Sequence, residues 1–217
     1  PMTGYDFTLE GARLTALGTG ALWWAERRLL CVSDLHLGKS ERHARRGGSA
    51  LPPYETRDTL FRLQELLQRT NAETLICLGD SFDDDAASRA LTASECDLLA
   101  MMLQNRRWIW ITGNHDPAPA DLGGEQMAEL QLAPLTFRHI ADPSDRAEVS
   151  GHYHPKARIR STSRPCFLLD QSRLILPAFG TYTGGLRSTD PALTSLMAPG
   201  ALAILTGPQV LPVPMPR

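Results

Sequence analysis

Four short patterns of polar residues, each following an apolar run, contain side chains that bind metal ions. In chain order they are Ser33-Asp34-Leu35-His36, Leu78-Gly79-Asp80, Gly113-Asn114-His115-Asp116 and Gly151-His152-Tyr153-His154-Pro155, and His139 stands alone between the last two. The patterns and His139 account for five of the six histidines and contain no cysteine. Oxygen and nitrogen ligands without sulfur indicate a site for hard or borderline divalent ions.

The chemistry that such a site supports is hydrolysis of a phosphate ester. A phosphodiester resists attack because its anionic oxygens repel the nucleophile and because its alkoxide is a poor leaving group. Two divalent ions roughly 3.5–4 Å apart acidify a bridging water to hydroxide and neutralise the charge that builds on the phosphorus oxygens. Asp80 is the best candidate for a carboxylate that bridges the ions, since it follows a glycine at the end of a strand-like run.

The spacing of the other candidate ligands predicts where they point. Asp34 and His36 are two residues apart, as are His152 and His154. If these segments stay extended, each pair projects to one side of its strand. We therefore expect each pair to reach the metal site together.

The pattern at 113–116 offers both a ligand and an acid. Asn114 can supply a neutral amide oxygen, which keeps the total charge of the site low enough for an anionic substrate to enter. His115 is next to that ligand and points elsewhere, which suits a general acid that protonates the leaving oxygen. Asp116 would orient or electrostatically support His115. We expect His115 and Asp116 to be the catalytic residues.

The elements that position these residues alternate between strand and helix in the first half of the chain. Short apolar runs predict buried strands at 29–32, 74–78 and 107–111, and leucines at helical spacing predict helices at 54–69 and 92–105. A shorter helical and basic segment runs from Gly38 to Arg46. Strands that alternate with helices are typical of a wound α/β unit.

After Pro134 the sequence changes to short strands separated by Gly, Pro and Ser, with almost no helical pattern. These strands are expected at 135–140, 148–150, 157–160, 166–169, 174–176, 202–205 and 209–213. They predict a second sheet packed on the first, and we expect the N-terminal β-meander (5–33) to join that second sheet. The fold class is therefore α/β, a two-sheet sandwich flanked by helices.

Bulk properties favour an ordinary intracellular globular protein. The 217 residues suggest a single domain over 1–217, with 208–217 as an edge strand and frayed tail. The net charge of −2 argues neither for nor against nucleic acid as a partner. Four cysteines without a CxxC pair indicate buried thiols in a reducing compartment. Nothing indicates a signal peptide or a membrane span, so we expect a cytoplasmic protein.

The ordered set of DxH, GD, GNHD, a lone His and GHxH resembles the calcineurin-like metallophosphoesterases. Three segments resemble one branch, the bacterial ligase-associated (PdeM-type) metallophosphoesterases of the DNA damage response. They are Ser33-Asp34-Leu35-His36-Leu37-Gly38-Lys39, Gly151-His152-Tyr153-His154-Pro155, and Leu176-Pro177-Ala178-Phe179-Gly180 followed by Thr183-Gly184-Gly185-Leu186. The resemblance covers about residues 20 to 206.

This resemblance implies a four-layer α/β/β/α fold and two divalent ions, manganese first, with Fe²⁺ or Zn²⁺ as alternatives. It assigns the first ion to Asp34, His36, Asp80 and His154, and the second to Asp80, Asn114, His139 and His152. It also implies a phosphodiesterase or endonuclease acting in DNA repair, encoded with a ligase and a helicase. DNA, a DNA ligase and a helicase are thus the implied partners, and no oligomeric state is indicated.

Two charged segments near the first patterns affect what could enter the site. The basic residues Lys39, Arg42, Arg45 and Arg46, together with Lys156, are candidates for binding a phosphate backbone, although a charged helix face is more often simply solvated. Many relatives carry an Arg shortly after the GD motif, where this chain has Asp83-Asp84-Asp85. Unless these carboxylates are paired or turned away, they would repel a polyanion.

Three functions remain open from the sequence. The first is a two-metal phosphodiesterase, a DNA-repair nuclease acting on single-stranded or damaged DNA ends. The second keeps the chemistry but takes a small nucleotide or a phosphomonoester, as the acidic segment suggests. The third is a non-catalytic scaffold for a ligase or helicase. Scaffolds of this kind usually lack a ligand or the acid, and this chain lacks neither.

Overall fold

The computed structural model describes residues 2–47, 54–114, 122–181 and 183–217. In this part of the chain the first sheet has seven strands that neighbour one another in chain order. They are β1 (Gly4–Leu9), β2 (Ala12–Leu17), β3 (Leu22–Trp24), β4 (Leu29–Val32), β5 (Thr74–Leu78), β6 (Arg107–Ile111) and β7 (Glu125–Met127).

The second sheet has eight strands over the same described ranges. They are β8 (Glu129–Leu132), β9 (Leu135–Arg138), β10 (Glu148–Ser150), β11 (Lys156–Ile159), β12 (Thr162–Leu169), β13 (Arg173–Ile175), β14 (Leu202–Leu205) and β15 (Leu211–Pro214). Their spatial order is β15-β14-β12-β13-β10-β9-β8, and β11 pairs with β12. The helices are α1 (Lys39–Arg45), α2 (Glu55–Thr70), α3 (Asp85–Arg89), α4 (Ala93–Leu103) and α5 (Pro191–Leu196).

The centre of the first sheet is parallel. Strands β4, β5, β6 and β7 pair in parallel, so that their carboxyl ends meet at one edge. Strands β4 and β5 are apolar along nearly their whole length because helices cover one face and the second sheet covers the other. The connections that contain α2 and α4 return the chain to the start of the next strand, as parallel pairing requires.

Three apolar layers hold the sheets and helices together. Leucines at helical spacing on α2 (Leu60, Leu63, Leu66 and Leu67) pack with buried side chains of the first sheet. A second layer lies between the two sheets and includes Ile76, Ile109, Phe137 and Phe167. A third joins α5 to the outer face of the second sheet. The predicted α/β two-sheet sandwich with outer helices is therefore confirmed.

The N-terminal strands join the first sheet, and the prediction that they join the second was wrong. Strand β3 pairs antiparallel with β4. Only the 3₁₀ turn Ala25–Arg27 and Arg28 in the left-handed conformation separate the two strands. A connection this short makes a hairpin between sequence neighbours, and β2 and β1 then extend the sheet beyond β3.

Short elements account for most other differences from the sequence prediction. Helix α5 follows Asp190, whose side chain accepts from Ala192 N, with a proline at its first position. Arg217, in the segment 208–217, donates to backbone carbonyls of residues 194, 197 and 198. Among the described residues, no helix combines the length and apolar character needed to cross a membrane.

Candidate metal centre

Two groups of three side chains meet where strands of both sheets end. The first cluster is Asp34, His36 and His154, and the second cluster is Asp80, His139 and His152. Within each cluster, the potential ligand atoms lie within 4.8 Å of one another. Asp34 and His36 follow β4, and Asp80 follows β5. The second sheet supplies His139 after β9 and the other two histidines after β10. Each cluster therefore takes residues from both sheets.

The ligand candidates are brought together by left-handed turns, and not by alternation along extended strands. Asp34, His36, Asp80, His152 and His154 have φ of 51°, 46°, 45°, 72° and 47°. This region is uncommon for residues with a Cβ and costs of order 1–3 kcal/mol at each position. The prediction that each pair points to one side of an extended segment was thus wrong in mechanism. Tight turns fold the chain back on itself directly after each strand.

Hydrogen bonds between the ligand loops fix these turns. His36 N donates to Asp80 O at 3.0 Å, and Gly151 N donates to His139 O at 2.9 Å. His152 N donates to Asp34 Oδ2 at 2.9 Å, which ties the two sheets together at the site. Because every ligand loop bonds to another, the geometry of one cluster depends on the backbone of its neighbours.

In the first cluster, one oxygen of Asp34 is held by the protein and the other faces the cluster. Oδ2 accepts hydrogen bonds from Ser33 Oγ and His152 N. Oδ1 is buried and accepts no hydrogen bond, and His154 Nε2 lies 3.2 Å from it. The Nε2 atoms of His36 and His154 are 3.3 Å apart. A buried carboxylate oxygen without a donor, beside two facing imidazole nitrogens, is the arrangement that a cation satisfies.

The second cluster has a similar arrangement, in which the backbone fixes the tautomer of one histidine. His139 Nδ1 lies 2.7 Å from the Leu78 carbonyl oxygen, which can only accept, so Nδ1 carries the proton. In the neutral ring Nε2 is then the unprotonated nitrogen, and it faces Asp80 Oδ2 at 3.4 Å and His152 Nδ1 at 3.3 Å. This is how proteins prepare a neutral imidazole for a metal ion.

The electrostatics of the site favour the ligand protonation states of Asp34 and His152 and stabilise positive charge at His139. Burial alone would raise the pKa of Asp34, but His154, His139 and Ser33 outweigh it and lower the pKa below its ordinary value. Burial and the neighbouring His139 lower the pKa of His152, which favours neutral imidazole. Burial opposes charge on His139, yet Asp80, Asp34 and the Leu78 carbonyl raise its pKa. The carboxylates thus stabilise positive charge at the site.

The donors in both clusters fit divalent ions. Imidazole nitrogen and carboxylate oxygen are ligands for Mn²⁺, Fe²⁺ and Zn²⁺, and each cluster provides three. The protein therefore contains two candidate metal sites. The two clusters lie close together, because Asp34 in the first accepts a hydrogen bond from the backbone N of His152 in the second.

Asp83 contacts His36 of the first cluster on the ring nitrogen that faces away from His154. Its Oδ1 lies 3.0 Å from His36 Nδ1, and its Oδ2 accepts from Arg42 at 2.8 Å. Burial would raise the pKa of Asp83, but His36 and Arg42 outweigh it and lower the pKa to about 2. Asp83 is therefore ionised and accepts the Nδ1 proton of His36, which leaves Nε2 as the ligand nitrogen. The sequence did not predict this role, since it indicated only that Asp83 would repel a polyanion unless paired or turned away.

The acidic segment is paired with the basic helix. Asp84 accepts from Arg45 at 2.9 Å and caps α3 by accepting from Ala87 N. Arg42, besides its bond to the Asp83 carboxylate, donates to the Asp83 backbone carbonyl. Asp83 and Asp84 are thus paired, which is the condition under which they would not repel a polyanion. In turn, two of the cations suggested for a phosphate backbone, Arg42 and Arg45, are engaged with carboxylates.

The remaining predicted site residues are placed as follows. Lys39 begins α1 and Arg46 follows its end. Lys156 begins β11 and donates to Thr183 O at 3.2 Å. Asn114 is exposed and follows Gly113, where an added Cβ would lie 2.2 Å from Asp80 Oδ1. The chain thus reaches Asn114 directly beside the second cluster. The predicted catalytic residues His115 and Asp116 lie outside the described residues.

Comparisons with family models, solved structures and curated proteins give the following similarities. The family model described as calcineurin-like phosphoesterase matches residues 27–180. The crystal structure of the nuclease MPE from Pseudomonas putida is similar, with a TM-score of 0.76 and 29% identity over 97% of this chain and 100% of that one. Yfce, a phosphoesterase from E. coli, matches with a TM-score of 0.41 and 14% identity over 87% of this chain and 99% of that one. A search of curated proteins found no match.

Adjacent glycines give a matched test of the first cluster. A Cβ at Gly185 would lie 2.0 Å from His154 O and 3.0 Å from His154 Cβ, whereas a Cβ at Gly184 meets nothing within 4 Å. We predict that Gly185→Ala displaces His154 and lowers bound metal from two ions to about one per chain. Gly184→Ala should keep the wild-type content. Elemental analysis after equilibration with Mn²⁺ and desalting measures both, and equal content in the two variants would contradict the prediction.

A second prediction concerns Asp83. Asp83→Ala removes the acceptor that orients His36, so we expect the Mn²⁺ affinity of one of the two binding steps, that of the first cluster, to fall by roughly 10–100-fold. Asp85→Ala, two residues away on an exposed side chain, is the control and should bind as the wild type does. Isothermal titration calorimetry gives both constants. An unchanged affinity in a folded Asp83→Ala protein would show that this contact does not support the metal site.

Proposed function

Because this chain belongs to the calcineurin-like phosphoesterase family and is a metal-dependent phosphoesterase, we propose that it is a two-metal nuclease that hydrolyses phosphodiester bonds of DNA. The observation that carries the proposal is the pair of adjacent clusters at the carboxyl ends of strands from both sheets. Each cluster has three nitrogen or oxygen donors. A single structural ion would need only one of the two clusters.

In this proposal Asp34, His36 and His154 hold one ion, and His139 and His152 hold the other. Asp80 would contribute to both, and Asn114 would add an amide oxygen to the second. When bound, the ions supply Lewis acidity, which makes water a nucleophile at neutral pH and neutralises the phosphoryl oxygens. Mn²⁺ is the proposed ion, with Fe²⁺ or Zn²⁺ as alternatives. Affinity order alone would favour zinc over manganese, so cellular supply decides.

The chain's own residues provide the remaining chemistry. The bonds that fix Asp34, His36 and His139 before substrate arrives reduce the reorganisation needed during reaction. We propose that His115 donates a proton to the leaving oxygen and that Asp116 orients its ring. An alkoxide is a much stronger base than a nitrophenolate, so the need for this proton depends on the leaving group.

Two observations support nucleic acid as the substrate. The similar protein from Pseudomonas putida is a nuclease. In addition, Arg42 and Arg45 neutralise Asp83 and Asp84, two of the three carboxylates that favoured a small substrate. A role in DNA repair, on single-stranded or damaged ends and beside a DNA ligase and a helicase, is the biological setting that we propose for this activity.

A substrate panel tests the proposed function. With Mn²⁺ we expect hydrolysis of bis-p-nitrophenyl phosphate and cleavage of single-stranded DNA, with cyclic nucleotides and p-nitrophenyl phosphate slower by at least about tenfold. Asp80→Ala should lose activity on all of them by roughly a thousandfold or more, since it removes a ligand from the metal centre. Faster turnover of the monoester or cyclic nucleotide would replace the nuclease with a small-molecule phosphoesterase. Absence of any turnover by metal-loaded protein would favour a scaffold.

The proposed role of His115 as general acid predicts different losses of activity on substrates with different leaving groups. His115→Ala should retain two ions per chain and slow cleavage of DNA by about 10²–10⁴-fold, the usual contribution of a general acid. Hydrolysis of bis-p-nitrophenyl phosphate should slow much less, because nitrophenolate leaves without a proton. The comparison uses kcat on both substrates and metal content on the same samples. Equal losses on the two substrates would remove His115 as the acid.

A further inference from the structure

A cavity of about 400 Å³ lies beside the metal centre, between the segment 177–181, helix α2 and the start of β11. Among its lining residues are the cations Arg62 and Lys156 and one carboxylate, Asp58. Taken together they carry a net charge of +1. The rest of the lining consists of Phe179, threonines, prolines and small residues. The cavity therefore favours a singly charged anion over an apolar or cationic ligand.

The wall of the cavity is continuous with the first cluster. Phe179 N donates to Ser33 O at 2.8 Å, and Gly180 N donates to Asp34 O at 3.2 Å. Lys156 follows His154 by two residues, so their Cα atoms are at most about 7 Å apart. A substrate whose reacting phosphate is bound at the first cluster therefore has its neighbouring group within reach of the cavity.

The two cations differ in how they are engaged. Arg62 is fixed: it donates to Asp58 at 3.1 Å, to the Phe179 carbonyl at 2.8 Å and to Thr181 Oγ1 at 2.9 Å. Lys156 donates to the Thr183 carbonyl at 3.2 Å, and no salt bridge to it is present over the described ranges of the chain. A carbonyl does not neutralise an ammonium group, which has three donors. Lys156 thus brings an uncompensated positive charge to the cavity.

The cavity also disfavours a nucleobase. Its one aromatic ring among the described lining residues is Phe179, and the Arg62 guanidinium covers that ring at 4.7 Å from the centroid. Base binding on single strands normally uses an open aromatic face on which the base stacks. Backbone recognition uses cations instead. The charge and the covered ring together indicate a phosphate.

We propose that this cavity binds the phosphate next to the scissile one on a nucleic-acid strand, with Lys156 as its principal contact. The inference rests on the proposed nuclease function and adds a subsite to it. It makes the enzyme prefer a strand with consecutive phosphates over an isolated diester. Lys156 and Arg62 then discriminate between nucleic acid and small diesters, without taking part in bond cleavage.

Dinucleotides test the contact between Lys156 and the phosphate next to the scissile one. The thymidine dinucleotide TpT has only the scissile phosphate, and pTpT and TpTp each add one neighbouring phosphate on opposite sides. For wild-type protein with Mn²⁺, kcat/KM for cleavage of the internal bond should be roughly tenfold higher for one of the two phosphorylated forms than for TpT, as expected for a charge-assisted hydrogen bond. In Lys156→Met this ratio should fall to about one. Arg158→Met, which removes an exposed cation from the same strand, should keep the wild-type ratio.

Binding without catalysis provides a second readout. In EDTA, fluorescence anisotropy of a labelled dT₁₀ gives the dependence of log Kd on log salt concentration. Loss of one phosphate contact should reduce this slope by about 0.7 in Lys156→Met and leave it unchanged in Arg158→Met.

The outcomes separate the two proposals. If wild-type protein cleaves TpT with no preference for pTpT or TpTp, or if Lys156→Met keeps the preference, the cavity proposal is wrong and the nuclease stands. If wild-type protein cleaves no dinucleotide and no single-stranded DNA, the nuclease proposal fails, and with it a subsite for substrate. An unchanged salt slope in Lys156→Met would likewise contradict the contact.

Discussion

The site depends on holding two carboxylates and four imidazoles close together. Such a group is unfavourable on its own, because buried lone pairs and charges face one another without donors between them. The surrounding backbone imposes it through left-handed turns at five of the six positions. Those turns are themselves held by hydrogen bonds between loops of different strands, such as His36 N to Asp80 O and His152 N to Asp34 Oδ2. The apolar layer between the sheets keeps these loops opposite one another, so packing far from the site determines its geometry.

Behind the ligands lies a set of contacts that orient them. The Leu78 carbonyl and the ionised Asp83 each accept an Nδ1 proton, which directs Nε2 of His139 and of His36 into the two clusters. Asp83 in turn is bound by Arg42 of the basic helix. The charge on that helix therefore has a structural role in addition to any contact with substrate. It also neutralises Asp83 and Asp84, so one set of ion pairs both orients a ligand and lowers the negative charge beside the first cluster.

Much of this could be predicted from the sequence, because the information was local. The buried parallel strands, the leucine pattern of α2 and the order of the Asp and His patterns indicated both the fold class and the residues that the structure brings together. What could not be predicted depends on distant contacts. The contact of Asp83 with His36 joins residues 47 positions apart, and the left-handed turns at the ligands are conformations that no periodicity reports. The pairing of β3 with β4 is different, because it is a local hairpin that the short connection at 25–28 could have indicated. The effect of the Asp83 charge in particular depends on its neighbours. Alone it would repel a phosphate, whereas beside Arg42 and His36 it orients a candidate metal ligand.

The central claim is that the two clusters bind two separate ions in one centre. Anomalous X-ray diffraction from a crystal equilibrated with Mn²⁺, measured above the manganese absorption edge, tests it directly. The account predicts two peaks roughly 3.5–4 Å apart, one bounded by Asp34, His36 and His154 and the other by Asp80, His139 and His152. A single peak at full occupancy, or two peaks of which either lies away from these side chains, would contradict it.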